Sequence, residues 1–210
     1  MISVFVTDDH ELLREGIKKV LKEELDIRVT GEARTAAETL GKIQPDLFDV
    51  VILDLSLPDR NGLDIIRELK QIDNKAAILI LSMYPEEQFA ERAFAAGADG
   101  YVTKETVSRN LVKAIRTVVD GRKYVSPALA DVLASRIGLK SSLLPHEALS
   151  DREFEVFLRL ASGDSVARIA EQCSLSLSTV YTYRNRILQK MKLQTDADII
   201  RYALKNNLIP

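Results

Sequence analysis

The sequence predicts an α/β domain with a five-stranded parallel sheet covered by helices on both faces, followed by a domain made only of helices. Within residues 1–121, short and continuously apolar runs alternate with segments of helical periodicity, about every 25 residues. Beyond residue 149 only the helical period is left. The five apolar runs are the predicted strands, at residues 2–6, 27–30, 49–53, 77–81 and 100–102.

Turn and capping residues divide the remainder of the chain. Ser126 and Pro127 are typical of a helix start and Gly138 of a helix end, which predicts a helix over 127–137. Residues 139–148 show neither period, which predicts a flexible link. The predicted parts are therefore a first domain at 1–121, a connector at 122–148 and a second domain at 149–210.

Four short helices are predicted in the second domain. It opens with Ser150 and Glu153 at the spacing of a capping box, and its first helix ends at Gly163. The other predicted helices cover about 166–173, from the cap Ser176 to about Met191, and from the cap Thr195 onward. A tight turn joins the second helix to the third, which predicts a helix-turn-helix domain.

Composition bounds the class of protein. The 210 residues carry a net charge of −2, and no long apolar stretch or signal peptide is evident. The single cysteine, Cys173, cannot form an internal disulfide and is interpreted as a small core residue. His146 is interpreted as a solvated loop histidine. We therefore expect a soluble cytoplasmic protein that does not enter the membrane.

Charged and hydroxyl side chains stand at the ends of four predicted strands. Asp8 and Asp9 follow the first strand, and Asp54 ends the third. In the flavodoxin-like, doubly wound strand order 2-1-3-4-5 these strands are neighbours, so the three carboxylates meet at one edge of the sheet. Crowded carboxylates favour Mg²⁺, and Asp54 can attack a phosphoryl group as a nucleophile. Lys104 and Ser82, at the ends of the fifth and fourth strands, can bind phosphoryl oxygens.

Each of these residues alone has an ordinary interpretation. An acidic pair is often a solvated turn, and a lone lysine is most often a surface residue. Four such elements at four successive strand ends favour a phosphoryl-transfer site.

Four segments resemble the receiver domain of bacterial two-component response regulators, over about residues 1–121. They read DDHELLREGI, VVILDLSLPDRNGLD, ILILSMY and AAGADGYVTK. The resemblance implies that Asp54 is the phospho-acceptor. The implied Mg²⁺ ligands are Asp9, Asp54 and the backbone carbonyl of Ser56, with Asp8 supporting the site. The implied phosphoryl-binding and switch residues are Ser82, Lys104 and Tyr101. Glu105 stands where many receivers have proline.

The third helix of the second domain is basic and free of acids. Residues 178–192 hold four bases and no acid. Val180, Tyr183, Ile187 and Met191 repeat at the spacing of a packing face, which leaves the opposite face free to contact DNA. A solvated basic helix is the ordinary alternative, but the preceding helix and tight turn favour DNA recognition. The predicted DNA contacts are Ser176, Thr179, Tyr181, Thr182, Arg184, Asn185, Arg186, Gln189 and Lys190.

This region resembles the LuxR-type helix-turn-helix over about residues 149–208, in LSDREFEVFLRLASGDSVARIAEQCSLSLSTVYTYRNRILQKM. Tyr183 stands where histidine is common in that family, and Arg186 where asparagine is common. Among the predicted contacts, Asn185 can pair with adenine and Thr182 can touch a thymine methyl group. The arginine and lysine side chains are better suited to phosphates. The resemblance also implies a dimer contact through the last helix, at Ala197, Ile200, Ala203 and Leu204.

The two domains together resemble NarL/FixJ-type response regulators. This implies a transcription regulator that takes a phosphoryl group on Asp54 from a sensor histidine kinase. It also implies a homodimer on activation, an inverted-repeat operator in double-stranded DNA, and no enzymatic turnover beyond self-catalysed phosphoryl transfer.

Three other classes remain as alternatives. A phosphatase of the haloacid-dehalogenase type also uses a strand-end aspartate, but it needs a second aspartate where this chain has Ser56. The helical domain can instead bind a protein. A flavodoxin is disfavoured because an acidic pocket repels a flavin phosphate.

Overall fold

The computed structural model describes residues 1–136 and 144–209. The chain divides into two compact units, Met1–Ile137 and Gly138–Pro210. The predicted helix end at Gly138 and the part of the predicted link at 139–143 lie outside the described residues. Within the described part, no helix combines the length and the apolar character that crossing a bilayer requires.

The first unit is built on a five-stranded parallel sheet in the order β2-β1-β3-β4-β5. This confirms the predicted fold class and strand order. The strands are β1 (Ile2–Thr7), β2 (Ile27–Ala33), β3 (Val50–Asp54), β4 (Ala77–Ser82) and β5 (Gly100–Thr103). Every residue of β3 and β4 is buried, because these strands lie in the middle of a sheet covered on both faces.

Five helices cover the sheet, namely α1 (Glu11–Lys22), α2 (Ala36–Lys42), α3 (Gly62–Ile72), α4 (Glu86–Ala96) and α5 (Val107–Val119). On one face of the sheet, α1 and α5 pack through side chains such as Ile17 and Ile115 against Val4 and Ile52. The side chains of a strand alternate between faces, so Phe5 and Val51 point to the other face, where α2, α3 and α4 lie.

A sixth helix, α6 (Pro127–Arg136), follows the sheet in the first unit. Ser126 caps it, because its Oγ accepts a hydrogen bond from the Leu129 amide at 3.2 Å. The predicted helix start at Ser126 and Pro127 is therefore confirmed.

The second unit contains a short 3₁₀ helix (Pro145–Ala148) and four α-helices, α7 (Asp151–Ala161), α8 (Val166–Gln172), α9 (Leu177–Met191) and α10 (Asp196–Lys205). Ser150, Ser176 and Thr195 cap α7, α9 and α10 as predicted, with each side-chain oxygen accepting an amide three residues on. The predicted four-helix arrangement is confirmed.

The interpretation of His146 is wrong. His146 belongs to the 3₁₀ helix and is half-buried, and its Nδ1 lies 2.8 Å from the Tyr202 hydroxyl. It also stacks on Phe154 at a ring separation of 5.9 Å. An imidazole has an apolar ring as well as polar nitrogens, and here both are used to dock the segment on α7 and α10.

Candidate functional site

Three charged side chains meet at the carboxyl edge of the sheet in the first unit. Lys104 donates through Nζ to Oδ2 of Asp54 at 2.7 Å, and the same Nζ lies 2.7 Å from Oδ2 of Asp8. Both carboxylates are 1% exposed and the lysine side chain is 8% exposed. The sheet order brings them together because β1 and β3 are neighbours and Lys104 follows β5.

Burial sets the protonation behaviour of this cluster. Desolvation and, to a lesser degree, the nearby charge of Asp8 raise the pKa of Asp54 to about 6, against the opposing attraction of Lys104. The Ser56 amide donates to Oδ1 of Asp54 at 3.0 Å, which favours the ionised carboxylate. Burial lowers the pKa of Lys104, but the two carboxylates outweigh it and the net shift is upward. The lysine thus remains an ammonium that offsets two buried negative charges.

The same edge offers a set of cation ligands. One ligand atom each from Asp8, Asp9, His10 and Asp54 lies within 4.8 Å of the others. Carboxylate oxygens are the donors that Mg²⁺ prefers, so the residues present fit that ion. His10 was not among the predicted ligands, and its Nδ1 lies 3.0 Å from Oδ1 of Asp8 and 2.7 Å from Oδ1 of Asp9. Its signal was its position directly after the acidic pair.

Ser82 and Tyr101 lie beside the cluster. Ser82 is fully buried, and its Oγ accepts the Tyr84 amide at 3.1 Å. The Lys104 amide donates to the Ser82 carbonyl at 2.7 Å, which ties the end of β4 to the loop after β5. The Tyr101 ring is buried, and its hydroxyl donates to the Tyr84 carbonyl at 2.9 Å. Both predicted residues therefore contact the β4–α4 loop.

Arg14 is a buried positioning residue that the sequence analysis missed. It is 3% exposed, and Nη1 donates to the backbone carbonyl of Asp8 at 2.7 Å while Nε donates to Glu32 at 3.3 Å. Its only signal was spacing, because Arg14, Ile17 and Leu21 form the buried face of α1. The guanidinium holds the peptide that carries the first of the two acidic residues.

In the second unit, α9 packs through one face and exposes the other. Val180, Ile187 and Met191 are buried and Tyr183 is half-buried, as the predicted packing stripe requires. The predicted DNA-contact residues that lie exposed are Ser176, Tyr181, Thr182, Asn185, Arg186, Gln189 and Lys190. Thr179 is half-buried and its amide donates to Oγ of Ser176 at 3.1 Å, which forms the helix cap.

Two of the predicted phosphate-binding bases are already paired. Nε of Arg184 lies 2.7 Å from Oδ1 of Asp196, and Nζ of Lys190 lies 2.6 Å from Oε2 of Glu153. The Glu153 side chain is only 4% exposed, so Lys190 compensates a buried carboxylate. Both bases thus contribute to the packing of α9 on its neighbours.

The last helix corrects one predicted contact. Ala203 is fully buried in the core of the second unit, so the prediction that it contacts a second copy is wrong. Ala197 is exposed, Ile200 is half-buried and Leu204 is 49% exposed.

Cys173 is buried, as interpreted, and burial raises the pKa of its thiol to about 11.

Comparison with known families accounts for both units. The family described as the response regulator receiver domain matches residues 4–116, and the bacterial regulatory proteins of the luxR family match residues 147–203. The chain belongs to the NarL/FixJ-type response regulators. It is therefore a two-component response regulator with a LuxR-type DNA-binding domain that acts in transcription regulation.

Curated relatives match over nearly their whole length. Response regulator UvrY of Escherichia coli (strain K12) is 32% identical over 99% of this chain and 96% of the relative. Response regulator GacA of Pseudomonas protegens is 34% identical over 100% of this chain and 98% of the relative.

Solved structures share the architecture. The response regulator ChrA, from a heme-sensing two-component system, is 29% identical, with a TM-score of 0.53 over 99% of this chain and 98% of its own. RcsB from Salmonella enterica serovar Typhimurium has a TM-score of 0.63 over 96% of this chain and 97% of its own. At 24% identity, that second likeness concerns the fold alone.

Proposed function

We propose that a phosphoryl group on Asp54 gates the binding of this regulator to DNA. The observation that carries the proposal is the buried cluster of Asp54, Asp8 and Lys104, in which one ammonium joins two carboxylates at 2.7 Å each. The proposed parts are a receiver at 1–121, a connector at 122–148 and an effector domain at 149–210.

The proposed donor is a phosphohistidine on a sensor histidine kinase. A carboxylate oxygen of Asp54 attacks the phosphorus, a new P–O bond forms, and the P–N bond to the donor imidazole breaks with its electron pair kept by the imidazole nitrogen. The product is an acyl phosphate. Each chain takes one phosphoryl group and keeps it on Asp54, so the proposed role is that of an acceptor and not of an enzyme that turns over.

Mg²⁺ is the proposed cofactor, held by Asp9, Asp54 and the Ser56 carbonyl with support from Asp8. When bound, it neutralises negative charge on the transferring group. Lys104 holds the charge of the acyl phosphate through its ammonium, and Ser82 offers its hydroxyl to a phosphoryl oxygen. Arg14 keeps the Asp8 peptide in place throughout.

Gating follows from the connections of Ser82, Lys104 and Tyr101. Phosphorylation adds about −1.5 to −2 charges beside Lys104. Two hydrogen bonds link the loops after β4 and β5, from the Lys104 amide to the Ser82 carbonyl and from the Tyr101 hydroxyl to the Tyr84 carbonyl. Movement of Ser82 and Lys104 toward the new oxygens therefore strains both loops. Tyr101 is the proposed reporter of the switch.

In the proposed active state, two copies pair and bind an inverted repeat in double-stranded DNA. Ala197, Ile200 and Leu204 are the proposed surface of the effector contact. Two recognition helices then enter successive major grooves, roughly 34 Å apart. A DNA-binding regulator works in the compartment that holds the chromosome, so the proposed location is the cytoplasm.

Phosphorylation of the purified chain tests the acceptor. Incubation with acetyl phosphate and Mg²⁺, followed by intact-mass measurement, should add one phosphoryl group to the wild type and none to Asp54→Asn. Asp131→Asn is the matched control, because Asp131 is an exposed aspartate on α6. Unreduced labelling of Asp54→Asn would reject the assignment.

A further inference from the structure

The exposed face of α9 is neutral at its centre. With about 100° between successive residues of a helix, the residues opposite the buried stripe fall in one sector. The exposed members at the centre of that sector are Ser178, Thr182, Asn185 and Gln189, and none of them carries a charge. Tyr181 lies at one edge of the sector and Arg186 at the other. The side chains that would face the floor of a major groove are therefore amides and hydroxyls.

Two basic residues of this helix lie outside that sector. Arg184 and Lys190 are held by Asp196 and Glu153 at the two flanks of the helix. Arg186 forms no ion pair with any described residue, and it lies next to the neutral sector, where it can reach the DNA backbone. The usual partner of guanine is an arginine or lysine that bonds O6 and N7 together. The centre of the exposed face offers no such partner.

What the face does offer matches A·T base pairs. Asn185 lies exposed at the middle of the sector, with its amide in no hydrogen bond to a described residue. An asparagine amide can accept from N6 of adenine and donate to N7.

An apolar pair lies beside Asn185. Leu177 is 53% exposed and Tyr181 is 54% exposed, and they are four residues apart, so they are neighbours on one side of the helix. Thr182 adds a methyl group to this surface, and its hydroxyl proton is donated to the Ser178 carbonyl at 2.9 Å. Exposed apolar groups at the start of a recognition helix suit the C5 methyl group of thymine, which projects into the major groove.

We propose that α9 reads A·T base pairs, with Asn185 bonding an adenine and the Leu177–Tyr181 pair packing on the methyl group of a thymine. This inference rests on the operator binding proposed above and specifies which base pairs that site selects. Recognition at the centre of each half-site then depends on the hydrogen bonds of Asn185 and on methyl contact, while Arg186 contributes affinity through phosphate.

Single-atom changes in the DNA test the two contacts. The full chain, treated with acetyl phosphate and Mg²⁺, selects duplexes from a library with a randomised core of about 20 base pairs, enough for two half-sites. The enriched duplex is then synthesised again with deoxyuridine in place of one thymidine, or 7-deazaadenine in place of one adenine. Affinities are measured by fluorescence anisotropy at fixed salt.

The expected core is A·T-rich in each half-site. At one thymine, loss of the methyl group should weaken wild-type binding about fourfold, which is the effect of burying one methyl group. Leu177→Ala or Tyr181→Ala should bind the thymine and uracil duplexes equally. At one adenine, loss of N7 should weaken wild-type binding about tenfold, and Asn185→Ala should bind both duplexes equally. All three substituted residues are exposed, and circular dichroism verifies that the variants fold.

Leu144→Ala is the matched control, because Leu144 is another exposed leucine of the same unit and lies outside α9. It should keep the full preference for thymine over uracil. A G·C core at the centre of the half-sites, or equal wild-type affinity for thymine and uracil at every position, would overturn the inference and leave operator binding intact. Absence of any salt-dependent binding to DNA would overturn the proposed function together with it.

Discussion

The ammonium of Lys104 donates to Oδ2 of Asp54 at 2.7 Å, and this contact joins the end of β3 to the loop that follows β5. Asp8 shares the same ammonium at 2.7 Å. Lys104 thus compensates two buried carboxylates. A divalent ion and Lys104 therefore act on the same negative charges, and each weakens the attraction of the site for the other.

Removal of the ammonium should strengthen cation binding. In Lys104→Met, the negative charge of Asp8 and Asp54 is left uncompensated, and we expect the affinity for Mn²⁺ to rise about tenfold, since one unit charge at this range is worth about 1–4 kcal/mol. Electron paramagnetic resonance of free Mn²⁺ during a titration measures this directly. Lys113→Met, which removes an exposed lysine from α5, should leave the affinity at the wild-type value. Equal or weaker binding by Lys104→Met would show that the lysine does not oppose the ion.

The hydroxyl of Tyr101 should contribute measurably to the resting state. Tyr101→Phe keeps the buried ring and removes the hydrogen bond to the Tyr84 carbonyl, so the free energy of unfolding should fall by about 1 kcal/mol. Urea unfolding followed by circular dichroism measures the change. Tyr124→Phe serves as the control, since its hydroxyl makes no hydrogen bond to a described residue. A Tyr101→Phe variant as stable as the wild type would show that this hydrogen bond contributes little to the free energy of unfolding.

Substitution of two basic residues of α9 should have separate effects, one on stability and the other on DNA affinity. Lys190→Ala leaves the buried Glu153 without its cationic partner, so the second unit should lose about 1 kcal/mol of stability, a value reduced for the partial exposure of the lysine. Arg186→Ala should leave stability unchanged and lower the slope of log affinity against log salt by about 0.9, the effect of one lost phosphate contact. Thermal unfolding and anisotropy titrations over a series of salt concentrations distinguish them. The reverse pattern would exchange the roles assigned to these two residues.

The sequence was sufficient for the fold and for the centre of the acidic site. Strand order alone brings Asp8 and Asp54 together, because ligand-bearing residues follow the carboxyl ends of adjacent strands. The helix caps at Ser150, Ser176 and Thr195 could also be predicted from the sequence, since a capping side chain bonds an amide within three residues of its own position.

The sequence did not predict which residues the long or half-buried side chains would contact. The helical spacing of α1 indicates that Arg14 is buried, but not that it bonds the Asp8 carbonyl. His146 docks on Tyr202, which is 56 residues away and carries no matching signal. The error at Ala203 has a different origin. Ile199 and Ala203 form the buried centre of the apolar side of α10, while Ile200 and Leu204 lie at its margin, and periodicity does not separate centre from margin.

The affinity of the full chain for its selected duplex, with and without acetyl phosphate, tests the central claim most directly. Wild type and Asp54→Asn are compared by anisotropy in the same buffer with Mg²⁺. Phosphorylation should tighten wild-type binding at least several-fold and leave Asp54→Asn unchanged. Equal affinity of the wild type in its two states, or an equal gain in Asp54→Asn, would contradict the claim that a phosphoryl group on Asp54 gates DNA binding.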